Sequence, residues 1–198
     1  PSNAINIAKN NLRTHENVNF FNETTEDCSL SPGSQDFGYC LGVLHHIPNT
    51  QDALNDCTKL LKPGAPILLY LYYNFENKPL WFKFIWKVSN NIRRFVSASP
   101  KPIKHFICSL IAIAVYFPLS QAAYLMEKFG FNVNNIPLSD YRKKPFYQSK
   151  NDALDRFGTR LEKRFNKAQI TKMLTNAGCT NIEFSPNTPF WCCVGFKK

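Results

Sequence analysis

Glycine is scarce here, eight in 198 residues, and no Gly-x-Gly-x-x-Gly or related turn occurs anywhere. A glycine loop that lets backbone approach a cofactor closely is therefore not encoded in these residues. The seven cysteines, at 28, 40, 57, 108, 179, 192 and 193, are odd in number and show neither C-x-x-C nor Cys/His metal spacing. Several stand inside apolar runs, where cysteine behaves as a small core residue, so reduced thiols, no metal centre and a reducing cytoplasmic setting are expected. A signal-peptide pattern and low-complexity tracts are also missing. The chain opens on Pro1 rather than Met, and we expect a fragment that begins in mid-protein.

Acidic residues are few, 14 against 24 basic, for a net charge of +10. Residues 78–167 hold 17 of the basic and five of the acidic residues, a net of +12, so the basic character belongs to one central segment. Nucleic acid would suit that charge. Yet no nucleic-acid module signature is present, and the aromatics follow helical spacing rather than the alternation of a stacking sheet. Nucleic acid is therefore not an expected partner, and anionic lipid or a phosphate-bearing substrate explains the same charge. With 44% apolar residues the chain is long enough for one domain with an insertion.

What is present is organised around Gly42-Val43-Leu44-His45-His46-Ile47-Pro48, which closes the apolar run from Phe37 to Leu41. An apolar run that breaks into adjacent histidines and a proline predicts a buried parallel strand. Its carboxyl edge would present polar side chains where open α/β sheets bind ligands. Thr50 then caps a predicted helix with Ala53, Leu54, Cys57, Leu60 and Leu61 on one face. Lys62-Pro63-Gly64 ends it, and the run from Ile67 to Tyr73 is a second strand. Upstream, Ser2 to Leu12 predicts a helix and Asn17 to Phe21 a short strand. At the far end Asn166 caps a helix with Ile170, Met173, Leu174 and Ala177 on one face, and Gly178 stops it. Asn181 to Phe184 and Trp191 to Phe196 make a terminal strand pair.

The pattern Asp36-x5-Gly42-Val43-Leu44-His45-His46-Ile47-Pro48, followed by Leu60-Leu61-Lys62-Pro63-Gly64 and a hydrophobic strand, resembles strands four and five of class I S-adenosylmethionine-dependent methyltransferases. It is most similar to the branch containing the ubiquinone and menaquinone enzymes and many small-molecule methyltransferases. The resemblance implies an α/β, Rossmann-like sheet of strand order 3-2-1-4-5-7-6, here without strands one and two. A helical cap is inserted between strands five and six, and the last strand is antiparallel. It divides the chain into a partial core at 1–75, a basic aromatic cap at 76–165 and a closing helix and strand pair at 166–198. It also implies S-adenosylmethionine as cofactor and in-line displacement by a hydroxyl or carbon of a small-molecule acceptor, lipid- and saccharide-linked metabolites included.

By the same resemblance, Thr25, Glu26 and Asp27 fall in the acidic loop that contacts the cofactor's adenine, where a carboxylate accepts from the exocyclic amine. The family's usual Asp two residues before the Glu is Thr24 here, and a solvated acidic turn is the competing reading. Leu41, Gly42 and Val43 would lie beside the methionine part. His45 and His46 would project where the acceptor enters, with His46 the candidate base for a hydroxyl. The alternative is that one histidine is hydrogen-bonded to its loop and the other packs under the cap.

In the central segment, Trp81 to Val88 and Ile92 to Val96 interleave aromatics with cations, and no charged residue occurs from Phe106 to Met126. Pro118, Ser120 and Gln121 interrupt that stretch. A buried cap helix pair and a peripheral contact with an anionic membrane surface both remain open, while a spanning helix is the weakest reading. Pro137 to Phe165, with Pro189 to Gly195, is similar to bacterial methyltransferases that carry a substrate cap. Tyr141, Arg142, Tyr147, Asp152 and Arg156 either line the acceptor pocket or, for Asp152 and Arg156, form helical salt bridges. Gly158 predicts a tight turn. A non-catalytic methyltransferase-like partner subunit and a membrane-surface binding module are the alternatives to an enzyme.

Overall fold

The computed structural model describes residues 2–198, which form two compact units. One comprises the residues up to Tyr73 together with Arg164–Lys198, and the other Asn74–Lys163.

The first unit begins with helix α1 (Ser2–Asn11) and contains β1 (Gly38–Leu41), α2 (Thr50–Lys59), β2 (Pro66–Tyr70), α7 (Lys167–Asn176), β3 (Cys179–Phe184) and β4 (Cys192–Lys197). The sheet order is β1-β2-β4-β3, with β1 and β2 parallel and β4 antiparallel to both of its neighbours. This order agrees with the 4-5-7-6 part of the order the resemblance implies, with the last strand inserted. Strands β1 and β2 are short apolar runs bounded by turn residues, and the parallel pairing requires the α2 crossover between them. Ile67, Leu69 and Leu71 alternate onto one face, where they meet Leu54 of α2 and Ile170 and Leu174 of α7, all at most 2% exposed. The two helices are tied where Thr58 Oγ1 donates to Ala177 O (3.0 Å) and Gln51 Nε2 to Met173 O (3.0 Å).

Several boundaries differ from expectation. The strand expected over residues 17–21 does not form, because no described strand lies beside it to take its N–H and C=O groups. Strand β1 is instead a sheet edge, with Phe37, Tyr39, Leu41 and Val43 all roughly half exposed or more. Asn49, not Thr50, is the N-cap of α2. The Thr50 hydroxyl is buried and donates to Leu44 O (3.1 Å), fixing the preceding turn rather than the helix end. Asn166 does cap α7, and with Gln169 it forms a reciprocal capping box.

The second unit is helical. It contains α3 (Leu80–Ala98), α4 (Lys101–Ile111), α5 (Phe117–Lys128) and α6 (Phe146–Gly158). Helices α4 and α5 are one continuous rod, Lys101–Lys128, joined by a π-turn at Ala112–Tyr116. Pro118 has no N–H to give the preceding turn, and the wide turn just before it absorbs that loss without ending the helix. The apolar stretch is thus a single rod rather than a helix pair. By length and composition alone it is long enough to cross a membrane, and only 28% of its most apolar window is buried. The unit's core is small: Val96, Cys108, Ala112, Tyr116, Ala153 and Phe157. Gly158 is the last residue of α6 rather than a turn. A Cβ there would come within 3.0 Å of Leu154 Cδ1 and 3.3 Å of Lys104 Cδ, so glycine permits a close approach of side chains.

Candidate active-site edge

The carboxyl ends of β1 and β2 carry the chemistry-bearing residues of the first unit. Gly42 N donates to Tyr70 O (3.1 Å), and its φ of +73° turns the chain out of the sheet, a conformation that suits glycine. A Cβ at this position would meet nothing nearer than 3.9 Å, so the backbone angle rather than crowding requires the glycine. A single 3-10 turn, Leu44–His46, follows and is closed by His46 N to Val43 O (3.0 Å). Leu41 and Val43 flank the glycine with exposed apolar side chains, while Leu44 is buried beneath.

The two histidines have different environments. His45 is 0% exposed, its ring stacked on Tyr72 at 3.7 Å between centroids and 4.2 Å from the His46 ring. His46 is half-buried and meets Tyr72 edge-on at 5.9 Å. Tyr70 packs edge-on against Tyr72 (5.9 Å), and the Arg164 guanidinium lies 5.1 Å over the Tyr72 ring while donating to Tyr73 O (3.1 Å). A cation on one aromatic and an imidazole stacked on the same ring make a rigid cluster. His45, expected at the acceptor entrance, therefore contacts protein, and His46 is the imidazole with access to solvent. Tyr70, Tyr72 and Arg164 were not singled out from the sequence. The i, i+2 alternation of Tyr70 and Tyr72 at a strand end was the available signal.

The loop containing Thr25, Glu26 and Asp27 is exposed. Asp27 N donates to Thr24 Oγ1 (3.2 Å) and Ser29 N to Glu23 Oε2 (2.7 Å), so Glu23 and Thr24 shape the loop.

The five acceptor candidates of the second unit fall into separate arrangements. Arg142 pairs with Glu127 (2.7 Å), which also takes Lys143 (2.8 Å); these two cations hold the Glu127 carboxyl well below its usual range, at about 2. Tyr141 packs edge-on against Tyr116 (5.3 Å). Tyr147 is 71% exposed, and Asp152 is half-buried on α6. Arg156 pairs with Glu162 (2.6 Å), donates to Ser89 Oγ (3.2 Å) and lies over the Trp86 ring (5.5 Å).

Two surface cavities, of about 250 and 150 Å³, are lined by residues of β2, β3 and β4 and by residues around β1 and α2; neither is lined by a histidine. No cluster of metal-ligating side chains occurs among the described residues. All seven cysteines are free, and burial pushes the thiols of Cys57 and Cys193 up to about 11 and about 12.

Residues 2–69 match the family model described as a methyltransferase domain. The chain is similar to the ubiquinone biosynthesis O-methyltransferase of Pectobacterium carotovorum subsp. carotovorum (strain PC1), 26% identical over 137 residues, covering 64% of this chain and 50% of that protein. The protein of the same description from Colwellia psychrerythraea is 34% identical over 65 residues, 32% of this chain and 26% of that one. The chain thus spans half or less of the length of these relatives. A candidate methyltransferase structure from Bacillus halodurans superposes with a TM-score of 0.51 at 13% identity, covering 92% of this chain and 51% of that one.

Proposed function

We propose that this chain, with methyltransferase-domain sequence at residues 2–69 on the Rossmann-like fold of class I methyltransferases, is the acceptor-side part of an enzyme that methylates a small molecule from S-adenosylmethionine. The observation that carries the reading is the coincidence of the family match with the Gly42–His46 turn at the carboxyl edge of two parallel strands.

Two groups of residues have chemistry suited to such a cofactor. Leu41 and Val43 offer exposed apolar surface on either side of the Gly42 turn, and in a separate exposed loop Thr25, Glu26 and Asp27 carry hydroxyl and carboxylate acceptors suited to an adenine amine. When bound, S-adenosylmethionine supplies an electrophilic methyl group, which an acceptor lone pair takes as the carbon–sulfur bond breaks and its electrons return to sulfur. The protein's own part is alignment and exclusion of water. His46 Nδ1 or Nε2 takes the hydroxyl proton of an oxygen acceptor, and His45, locked against Tyr72, positions it. The likeness to ubiquinone biosynthesis O-methyltransferases supports an oxygen acceptor on a small molecule. The uncovered edge of β1 supports a further strand pairing there in the whole enzyme.

Calorimetric titration of S-adenosylhomocysteine into the complete natural polypeptide tests the first half. Labelled methyl transfer to a panel of phenols and alcohols tests the second. His46→Ala should lower turnover on the accepted compound about 100-fold while leaving S-adenosylhomocysteine affinity unchanged. A folded polypeptide that does not bind S-adenosylhomocysteine would identify a non-catalytic partner subunit instead.

A further inference from the structure

Helix α3 turns a broad apolar face outward. Leu80, Trp81, Phe84, Ile85, Val88, Ile92 and Phe95 are 46–83% exposed, and at 100° per residue they share an arc of about 140°. The opposite side, which faces the unit's own interior, mixes apolar and polar side chains: Val96 and Ser97 are buried, Phe82, Trp86, Ser89 and Asn90 are half-buried, and Arg93 is 6% exposed. Arg93 is held by hydrogen bonds to Asn90 Oδ1 (2.9 Å), Thr159 O (2.9 Å) and Arg160 O (3.0 Å). A helix on a water-soluble surface carries charged and polar residues on its exposed face instead. The rod that follows repeats the pattern. Phe106, Ile113 and Phe117 are 49–65% exposed, while its buried positions include the small residues Cys108, Ala112, Ser120 and Ala123.

The charge around this apolar surface has one sign. No acidic residue occurs from Asn77 to Met126, a span that holds Lys78, Lys83, Lys87, Arg93, Arg94, Lys101 and Lys104. On α3, Lys83, Lys87 and Arg94 project along one flank of the apolar arc, where long stems reach past apolar neighbours to an interface. An apolar stripe bordered by cations is complementary to the headgroup and acyl boundary of an anionic bilayer. We propose that Asn74–Lys163 seats peripherally on an anionic membrane surface, with the α3 stripe inserted and its lysine and arginine flank among the headgroups. A second copy of the chain, or another part of the polypeptide, would cover apolar surface without needing a uniformly cationic border.

The complete polypeptide is mixed with vesicles of phosphatidylcholine alone or with 30% phosphatidylglycerol and separated by flotation, with the fluorescence of a Trp86→Phe/Trp191→Phe variant that keeps Trp81 read in parallel. Binding to the anionic vesicles at least tenfold tighter than to neutral ones, weakened by 0.5 M salt, is expected. Phe84→Glu/Phe95→Glu, at positions 68% and 80% exposed, should lose at least tenfold in vesicle affinity with unchanged circular dichroism and melting temperature. Lys83→Gln/Lys87→Gln should reduce the preference for anionic vesicles. Absence of vesicle binding by the folded wild type, or binding unaltered by the double Glu variant, overturns the proposal. So does a concentration-dependent dimer abolished by the same variant without any vesicle affinity, or resistance to alkaline extraction, the mark of a spanning helix. None of these readouts depends on cofactor binding, so failure here is separate from failure of the methyltransferase reading.

Discussion

Replacing Arg156 by Met separates two roles for one side chain. In the structure the guanidinium is 13% exposed and sits 2.6 Å from Glu162, whose side chain is 1% exposed. Met keeps most of the volume and the contact with the Trp86 ring but removes one hydrogen-bonded counter-charge from a carboxylate in a site that water does not reach, where the Arg93 charge also acts. Breaking a buried pair from one side costs about 3–5 kcal/mol, far more than an exposed pair is worth. At about 2–4 °C per kcal/mol for a chain of this size, melting should fall by about 6–20 °C. Calorimetry with urea denaturation followed by tryptophan fluorescence reads the loss, Trp81 and Trp86 reporting on the helical unit and Trp191 on the sheet unit. The double variant Arg156→Met/Glu162→Leu removes both charges and should recover most of the loss, giving a large coupling energy. A loss below about 1 kcal/mol, with acceptor KM raised instead, would refute the structural assignment and restore Arg156 to the acceptor pocket.

Two further outcomes follow from titrating groups. Glu127 is held at about 2 by Arg142 and then Lys143. Its folded pKa lies below the unfolded value, so it contributes stability that is fully present above the ordinary carboxylate range and disappears as pH falls toward 2. The stability gap between wild type and Glu127→Gln should therefore be present at pH 7 and close between about pH 4.5 and 2, as read by urea unfolding across that range. For the thiols, alkylation at pH 8 should leave Cys57 and Cys193 largely unmodified in the native chain, whereas guanidinium should expose all seven cysteines. Rapid native labelling of Cys193 would contradict its burial.

Much of the first unit was legible because its signals are local. Two apolar runs, a one-faced helix and a Pro-Gly stop define β1, α2 and β2, and Asn166 three residues before Gln169 marks a helix start whatever surrounds it. Segments whose state depends on a distant neighbour were not legible. Asn17 to Phe21 has strand composition but no partner, and Thr50 has a cap residue's chemistry but spends its hydroxyl on Leu44 O. The placement of the candidate site was legible in outline, since Gly42 and the histidine pair stand at the strand end. The unequal burial of His45 and His46 was not, because it rests on Tyr72, which reads as just another strand aromatic. Alternation and helical spacing identify an apolar face of α3 but not whether it points inward.

The helical unit leaves and re-enters the sheet unit at a single place. Tyr73 and Phe165 form a parallel bridge, Phe165 N donates to Tyr72 O (2.9 Å), and Arg164 clasps Tyr73 O (3.1 Å). Because the two ends of the insertion are already hydrogen-bonded neighbours, its length makes little difference to the loop-closure cost once that clasp exists. The insertion can therefore diverge, be exchanged or be shortened between related proteins without shifting any strand. Two evolutionary clocks can run in one chain: a slow one for the sheet and its histidine turn, and a fast one for whatever the inserted helices must meet.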